Sequence, residues 1–266
     1  MPLRTPEKAE PAPMEIADKD ISLTFAKGME VLEAFENAAA PLTIPDLARS
    51  TGINRSVTRR LVLTLVRLGY LTETGQRAYA PSPKVLRLAS GYLKERQFGR
   101  TVQPVMAAFS KRLGDAISLA VRDGTEAIYV AYSPGDPALI TSGFGIGSRL
   151  PLSATAIGRA LLAFCEEDAA EEILAHAQPP FTQKTITDPE AIRAELAAIR
   201  ERGYALVTGE YEPGVTSIAV PVLGAGAVAK AALGIVGPTA RFEETGICDQ
   251  KAATLRDCAE TLESFV

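Results

Sequence analysis

The stretch from Thr43 to Ala80 constrains this chain more than any other. It packs a short helix, a glycine turn, a longer helix and a hairpin into fewer than forty residues. Thr43-Ile44-Pro45-Asp46 reads as a helix start, with Thr43 as N-cap and Asp46 placing negative charge in the first turn. That helix stops near Ser50, and Thr51-Gly52-Ile53 is a tight turn. Asn54 can cap the next helix, predicted to reach about Leu68, with Val57, Leu61, Leu65 and Leu68 on one apolar face. Gly69 ends it. Tyr70-Leu71-Thr72 and Arg77-Ala78-Tyr79-Ala80 read as two strands about the turn Glu73–Gln76, closed by Pro81 and Pro83. Upstream, Ser22 can cap a helix carrying Phe25, Met29, Val31, Leu32 and Phe35, which ends before Pro41. The pattern is a helix-turn-helix with a wing.

Such a module places its second helix in the major groove of DNA. The N-terminal turns of that helix display Arg55, Ser56, Thr58, Arg59 and Arg60. Arginine can pair bidentately with guanine, and Ser or Thr can reach bases or phosphates. Thr43 and Asn54 at the two helix starts, and Arg77 in the wing, complete the expected DNA-binding set. A solvated basic face is the bland alternative for the arginines. Charge distribution favours duplex DNA. The whole chain carries −4, but residues 1–20 hold −2, residues 21–99 hold +5 and residues 100–266 hold −7. A basic module joined to an acidic one suggests that only the first meets a polyanion.

Residues 1–20, rich in Pro, Glu, Lys and Ala, are expected to be a disordered tail. Residues 21–82 form the winged module, and residues 83–99 a linker helix over about Pro83–Gln97. Residues 100–266 form a second domain. There a helix near Val105–Leu113 precedes strands at Ala116–Arg122 and Glu126–Tyr132, joined by Asp123-Gly124. A further strand is expected near Leu139–Ser142. Ser153 opens an apolar helix to about Phe164, and another helix covers Asp168–His176. Asp188-Pro189 starts a helix that Gly203 stops. Strands at Tyr204–Thr208, Ser217–Leu223 and Val228–Val236 and a last helix from about Glu243 follow. The class is α+β, around one mostly antiparallel sheet.

Composition narrows the setting. At 266 residues and 47% hydrophobic, the chain can bury a core without staples. Cys165, Cys248 and Cys258 lack metal-ligand spacing and are odd in number, which suggests structural thiols and a reducing, cytoplasmic location. The longest apolar stretch, Ser217–Gly237, is broken by Pro221, Gly224–Gly226 and Lys230, so it reads as two buried strands and not as a membrane span. No cofactor or metal site is expected.

The ordered motifs Leu23–Phe35, Leu42–Ala48, Thr51-Gly52-Ile53, Thr58–Leu61, Thr64–Tyr70, Ser118–Gly124, Gly147–Pro151, Ala156–Ala163 and Ser217–Pro221 resemble the isocitrate lyase regulator (IclR) family. The resemblance runs from about Ile21 to the end. It implies a winged helix-turn-helix, a linker helix and a C-terminal GAF-like effector-binding domain. It also implies a homo-oligomer, dimer or dimer of dimers, and control of small-carbon or aromatic catabolism by a small carboxylate.

A helix N-terminus supplies free N–H donors and partial positive charge for a carboxylate. Ser153-Ala154-Thr155-Ala156-Ile157-Gly158 is the best candidate: small residues would let a ligand reach the amides of Ala156 and Ile157, and Ser153 and Thr155 could add hydroxyls. A plain capped helix is the alternative. The resemblance adds facing strands at Thr208–Glu210, Ser217 and Gly234–Val236, with Thr208, Ser217, Gly234 and Val236 as the contacts, and Leu139, Ile140 and Phe144 as a wall or lid. Gly234 and Val236 stand where members that bind very small acids have hydroxyls, which points to an aromatic or larger acid. The rival classes are an architectural DNA binder without a ligand, and an enzyme with a DNA-binding arm. His176 is the sole histidine, and no Ser–His–Asp or Cys–His arrangement is visible.

Overall fold

The structure, a computed structural model, describes residues 17–36, 38–95, 98–135, 145–175 and 179–265. Of the expected tail, Asp18–Asp20 form a 3-10 turn, and residues 1–16 lie outside the described residues. The strand expected at Leu139–Ser142 and the end of the helix expected at His176 also fall outside them. The chain divides into two compact units, residues 1–90 and 91–266.

The first unit holds α1 (Leu23–Glu33), β1 (Leu42–Thr43), α2 (Ile44–Thr51), α3 (Arg55–Leu68), β2 (Leu71–Gly75) and β3 (Ala78–Pro81). Of the three caps expected in this unit, those of Thr43 and Asn54 form, whereas Ser22 stands at the N-cap of α1 without a side-chain capping bond. Thr43 and Asp46 make a reciprocal capping box, with the Thr43 N–H donating to Asp46 Oδ2 at 3.1 Å. Asn54 accepts from the Ser56 N–H at 2.9 Å. Gly52, at φ +68°, supplies the left-handed turn between α2 and α3. Val31, Phe35, Leu47, Leu61, Val62, Leu65, Leu71 and Tyr79 fill the core. Two expectations change here. Leu68 turns outward and is exposed, whereas Val62 and Thr58 point inward with Leu61 and Leu65. The wing is three-stranded, because β1 pairs with β3 through Leu42 and Tyr79. Its turn places Gln76 and Arg77 at φ +52° and +60°, the twist that a two-residue hairpin needs.

Helix α4 (Lys84–Glu95) carries the chain from the first unit into the second, and a π-helical segment, Phe98–Val102, follows. The second unit contains α5 (Gln103–Leu113), β4 (Ile117–Asp123), β5 (Glu126–Ser133), β6 (Arg149–Pro151), α6 (Ala156–Ala163), α7 (Glu167–Leu174), α8 (Pro189–Arg202), β7 (Ala205–Thr208), β8 (Val215–Leu223), β9 (Ala229–Pro238) and α9 (Ile247–Leu262). Its six strands run β6-β5-β4-β9-β8-β7, every neighbouring pair antiparallel. The α+β architecture expected from the sequence is thus present, with two cores.

Strand alternation assigns side chains to the two sheet faces. Ala120, Ala205, Val207, Ala219 and Ala232 meet α6, α7 and α8 on one face. Ile117, Leu119, Ile218, Val220, Leu233 and Ile235 meet α5 and α9 on the other. The small residues of the first face bring α6 close: a Cβ on Gly234 would lie 2.6 Å from Ile157 Cγ1. Helix α6 begins at Ala156 and not at Ser153. Leu152–Ala154 are held as a turn whose backbone touches Gly158, where a Cβ would lie 2.3 Å from the Leu152 carbonyl oxygen. On the second face, the buried Asp115 carboxylate is paired with Lys251 of α9 and with Arg241 at 2.7 Å. All three cysteines are unpaired. Only Cys258 is fully buried, and burial pushes its thiol up to about 12.

Candidate functional site

The first unit presents the face expected to meet DNA. Arg55, Ser56, Arg59 and Arg60 are exposed along the outer side of α3, and Arg77 is exposed at the wing tip. Three members of the predicted set are occupied otherwise. Thr58 is fully buried and donates to the carbonyls of Ile53 and Asn54 at 3.2 and 3.1 Å, so it anchors α3 and cannot reach a base. Thr43 and Asn54 hold their side chains in the two helix caps.

The second unit contains a cavity of about 570 Å³, open mouth included, between α6 and the sheet. Its base is built by cross-strand register. Ser118, Gly234 and Ala219 form one row across β4, β9 and β8, and Val236, Ser217 and Val207 form another across β9, β8 and β7. Ser118, Gly234, Val236, Ser217 and Val207 all line the cavity. Leu150, Ile157 and Val215 add apolar wall, and Tyr129 and Tyr211 add aromatic rings with hydroxyls. Burial and the neighbouring Tyr211 hold the Tyr129 phenol protonated far above its ordinary range, against the opposing hydrogen bond with Ser118.

One end of the cavity is the start of α6. Thr155 is its N-cap: its hydroxyl donates to the Pro151 carbonyl at 2.8 Å and accepts from the Gly158 N–H at 3.1 Å. The first N–H groups of a helix have no intrahelical acceptor. With that of Gly158 taken, those of Ala156 and Ile157 are the donors α6 offers to the cavity, which both residues line.

Beside it lies a buried ion pair absent from the sequence reading. Arg159 donates to both Glu210 carboxylate oxygens, at 2.8 and 2.6 Å, and its Nε donates to the Ser153 carbonyl at 2.7 Å. Glu210 also accepts from the Ile186 N–H at 3.0 Å and lines the cavity. The pair ties α6 to Gly209–Gly214, the connection between β7 and β8 that carries Tyr211.

The predicted effector set therefore divides. Thr155, Ala156, Ile157, Ser217, Gly234 and Val236 line one cavity. Thr208 does not: it lies on the opposite sheet face, where its hydroxyl is 3.0 Å from that of Thr216, and Val207 takes the inward position. Ser153 is buried away from the cavity lining. Leu139, Ile140 and Phe144 lie outside the described residues. Sequence reasoning missed Ser118, Tyr129, Tyr211 and Glu212, and placed Glu210 on a facing segment without its partner Arg159. The signal for Ser118 was a lone hydroxyl among apolar residues on the strand face shared with Ala120. Among the described residues, no group of three or more His, Cys, Asp or Glu could hold a metal ion, and no helix is long and apolar enough to cross a membrane.

Two sequence profiles match along almost the whole chain: the IclR helix-turn-helix domain over residues 24–75, and the Bacterial transcriptional regulator IclR C-terminal family over residues 90–264. The chain belongs to the IclR family. It is a transcriptional regulator with a helix-turn-helix for DNA. It is 35% identical over 230 residues to the Pca regulon regulatory protein of Pseudomonas putida, covering 85% of this chain and 79% of that one. It is 34% identical over 257 residues to the p-hydroxybenzoate hydroxylase transcriptional activator of Acinetobacter baylyi, covering 95% and 94%. Among solved structures, an IclR homologue from Microbacterium hydrocarbonoxydans complexed with 4-hydroxybenzoate superposes with a TM-score of 0.75 at 27% identity, over 91% of this chain and 98% of that one.

Proposed function

We propose that this IclR-family protein regulates a catabolic operon and senses an aromatic carboxylate in the cavity between α6 and the sheet. The observation that carries this reading is the pairing of donor amides at Ala156 and Ile157 with a largely apolar, tyrosine-lined cavity. An anion is costly to bury unless hydrogen bonds replace its water. The start of α6 supplies them together with the positive end of the helix dipole. The Arg159–Glu210 pair keeps one lining carboxylate from repelling the ligand. The bound 4-hydroxybenzoate of the Microbacterium homologue and the p-hydroxybenzoate hydroxylase for which the Acinetobacter activator is named support the same class of ligand.

DNA is read by Arg55, Ser56, Arg59 and Arg60, with Arg77 on the adjoining groove or backbone. In this reading the protein acts in the cytoplasm as a homo-oligomer, and as a regulator without catalysis. Calorimetric titration with 4-hydroxybenzoate tests the site. Wild-type protein is expected to bind it. Ala156→Asp and, at a half-buried position, Ser217→Asp are expected to abolish binding while melting as folded proteins and retarding promoter DNA in a gel. Undiminished binding to both folded variants would place the ligand elsewhere.

A further inference from the structure

We infer that the cavity accepts an aromatic acid with a single carboxylate and rejects a dicarboxylate. This rests on the sensor reading above and narrows the ligand class. The charges of the lining carry it. Among the described residues, the lining contains two carboxylates, Glu210 and Glu212, and no lysine, arginine or histidine. Glu210 is neutralised from outside the lining by Arg159. Glu212 is exposed, and no cation among the described residues pairs with it.

Among the described residues of the lining, the amides of Ala156 and Ile157 are the anion anchor, and a ligand can discharge one carboxylate there. A second carboxylate would find only neutral hydroxyls, those of Ser118, Tyr129, Tyr211 and Ser217, set among apolar side chains such as Val207 and Val236, with no cation among the described lining residues to offset its charge and the like charge of Glu212 beside it. A ring hydroxyl faces neither penalty. It can exchange hydrogen bonds with the Tyr129 and Ser118 hydroxyls or donate to a carboxylate.

4-Hydroxybenzoate and terephthalate test this directly, because they share the benzoate body and differ in the para group. In calorimetric titrations of the full chain, 4-hydroxybenzoate is expected to bind at least about tenfold more tightly than terephthalate. In Glu212→Gln, which alters an exposed side chain, the ratio is expected to narrow by about two- to fivefold, the size of a screened surface interaction. Equal binding of the two acids by wild type overturns this inference and leaves the sensor reading standing. An unchanged ratio in Glu212→Gln overturns the part assigned to Glu212. Binding of neither acid overturns the aromatic-acid reading and this inference with it.

Discussion

Gly158 and Gly234 show how much of the site is set by missing atoms. The sequence reading valued small residues after Ser153 as access for a ligand. The structure uses Gly158 to let α6 start against the backbone of Leu152, and Gly234 to seat Ile157 on the sheet. Gly158→Ala is expected to destabilise the folded protein by about 1–3 kcal/mol or more, since backbone cannot yield as a side chain can. Urea unfolding measures this, and an unchanged midpoint would contradict the close approach. At the first helix start, Thr43→Ala is expected to cost about 1 kcal/mol through loss of the cap. Bonds from Thr43 also hold the Asp46 carboxyl below its usual range. A carboxyl depressed in the folded state stabilises fully above its unfolded value, and that contribution is lost as pH falls through the folded value. Asp46→Asn should therefore flatten the acid limb of the stability curve. The caps were legible because they depend on neighbours three residues away. Thr58 and Thr208 were misplaced because hydroxyl residues suit either side of an element, and one step along a strand reverses the face.

At the scale of elements, two joints matter. At the end of α3, Lys84 Nζ donates to the Leu68 carbonyl at 2.7 Å and lies 4.6 Å from the Tyr70 ring centroid. The Ser82 hydroxyl donates to the Gly69 carbonyl at 2.5 Å and accepts from the Lys84 N–H at 3.1 Å. These bonds fasten the first turn of α4 to the end of the helix that displays the DNA-facing arginines. In the second unit, Arg159–Glu210 fastens α6 to the connection bearing Tyr211. Removing one member of a buried pair strands the other, so Glu210→Ala is expected to cost about 3–5 kcal/mol, and Arg159→Met combined with Glu210→Leu less than that. Chemical unfolding of the two variants decides it; equal losses would mean that packing and not charge dominates. The elements themselves were readable from caps, glycines and alternation. The ion pair was not, because its partners are separated by 51 residues and meet only once the sheet is built.

At the scale of the molecule, the first unit and α4 expose apolar side chains that no described residue covers. Phe25 is 70% exposed, Leu86 70% and Leu88 61%, with Met29 and Tyr92 partly so. Phe35, just past the end of α1, is by contrast in the core. Exposed apolar surface of this kind marks interaction sites, and a second copy of the chain is the partner proposed. Light scattering should give a dimer or larger for wild type and a smaller species for Phe25→Asp combined with Leu86→Asp. A monomeric wild type at micromolar concentration would contradict it. The arginine-bearing helix α3 and the start of α6 that lines the cavity were both visible in the sequence. The shape and charge of the cavity were not, since they arise from register between strands distant in the chain.

Ligand-responsive regulation requires linkage between the acid site and the DNA site, which DNA affinity measured with and without the acid reports. A ligand can shift DNA binding only if its affinity differs between the free and the DNA-bound protein, and the coupling is reciprocal. Fluorescence anisotropy with promoter DNA is expected to show its Kd change by about 5- to 150-fold at saturating 4-hydroxybenzoate, with the acid's own Kd changing by the same factor when DNA is bound. A DNA affinity unmoved by saturating acid would contradict the central claim that this chain is a ligand-responsive regulator.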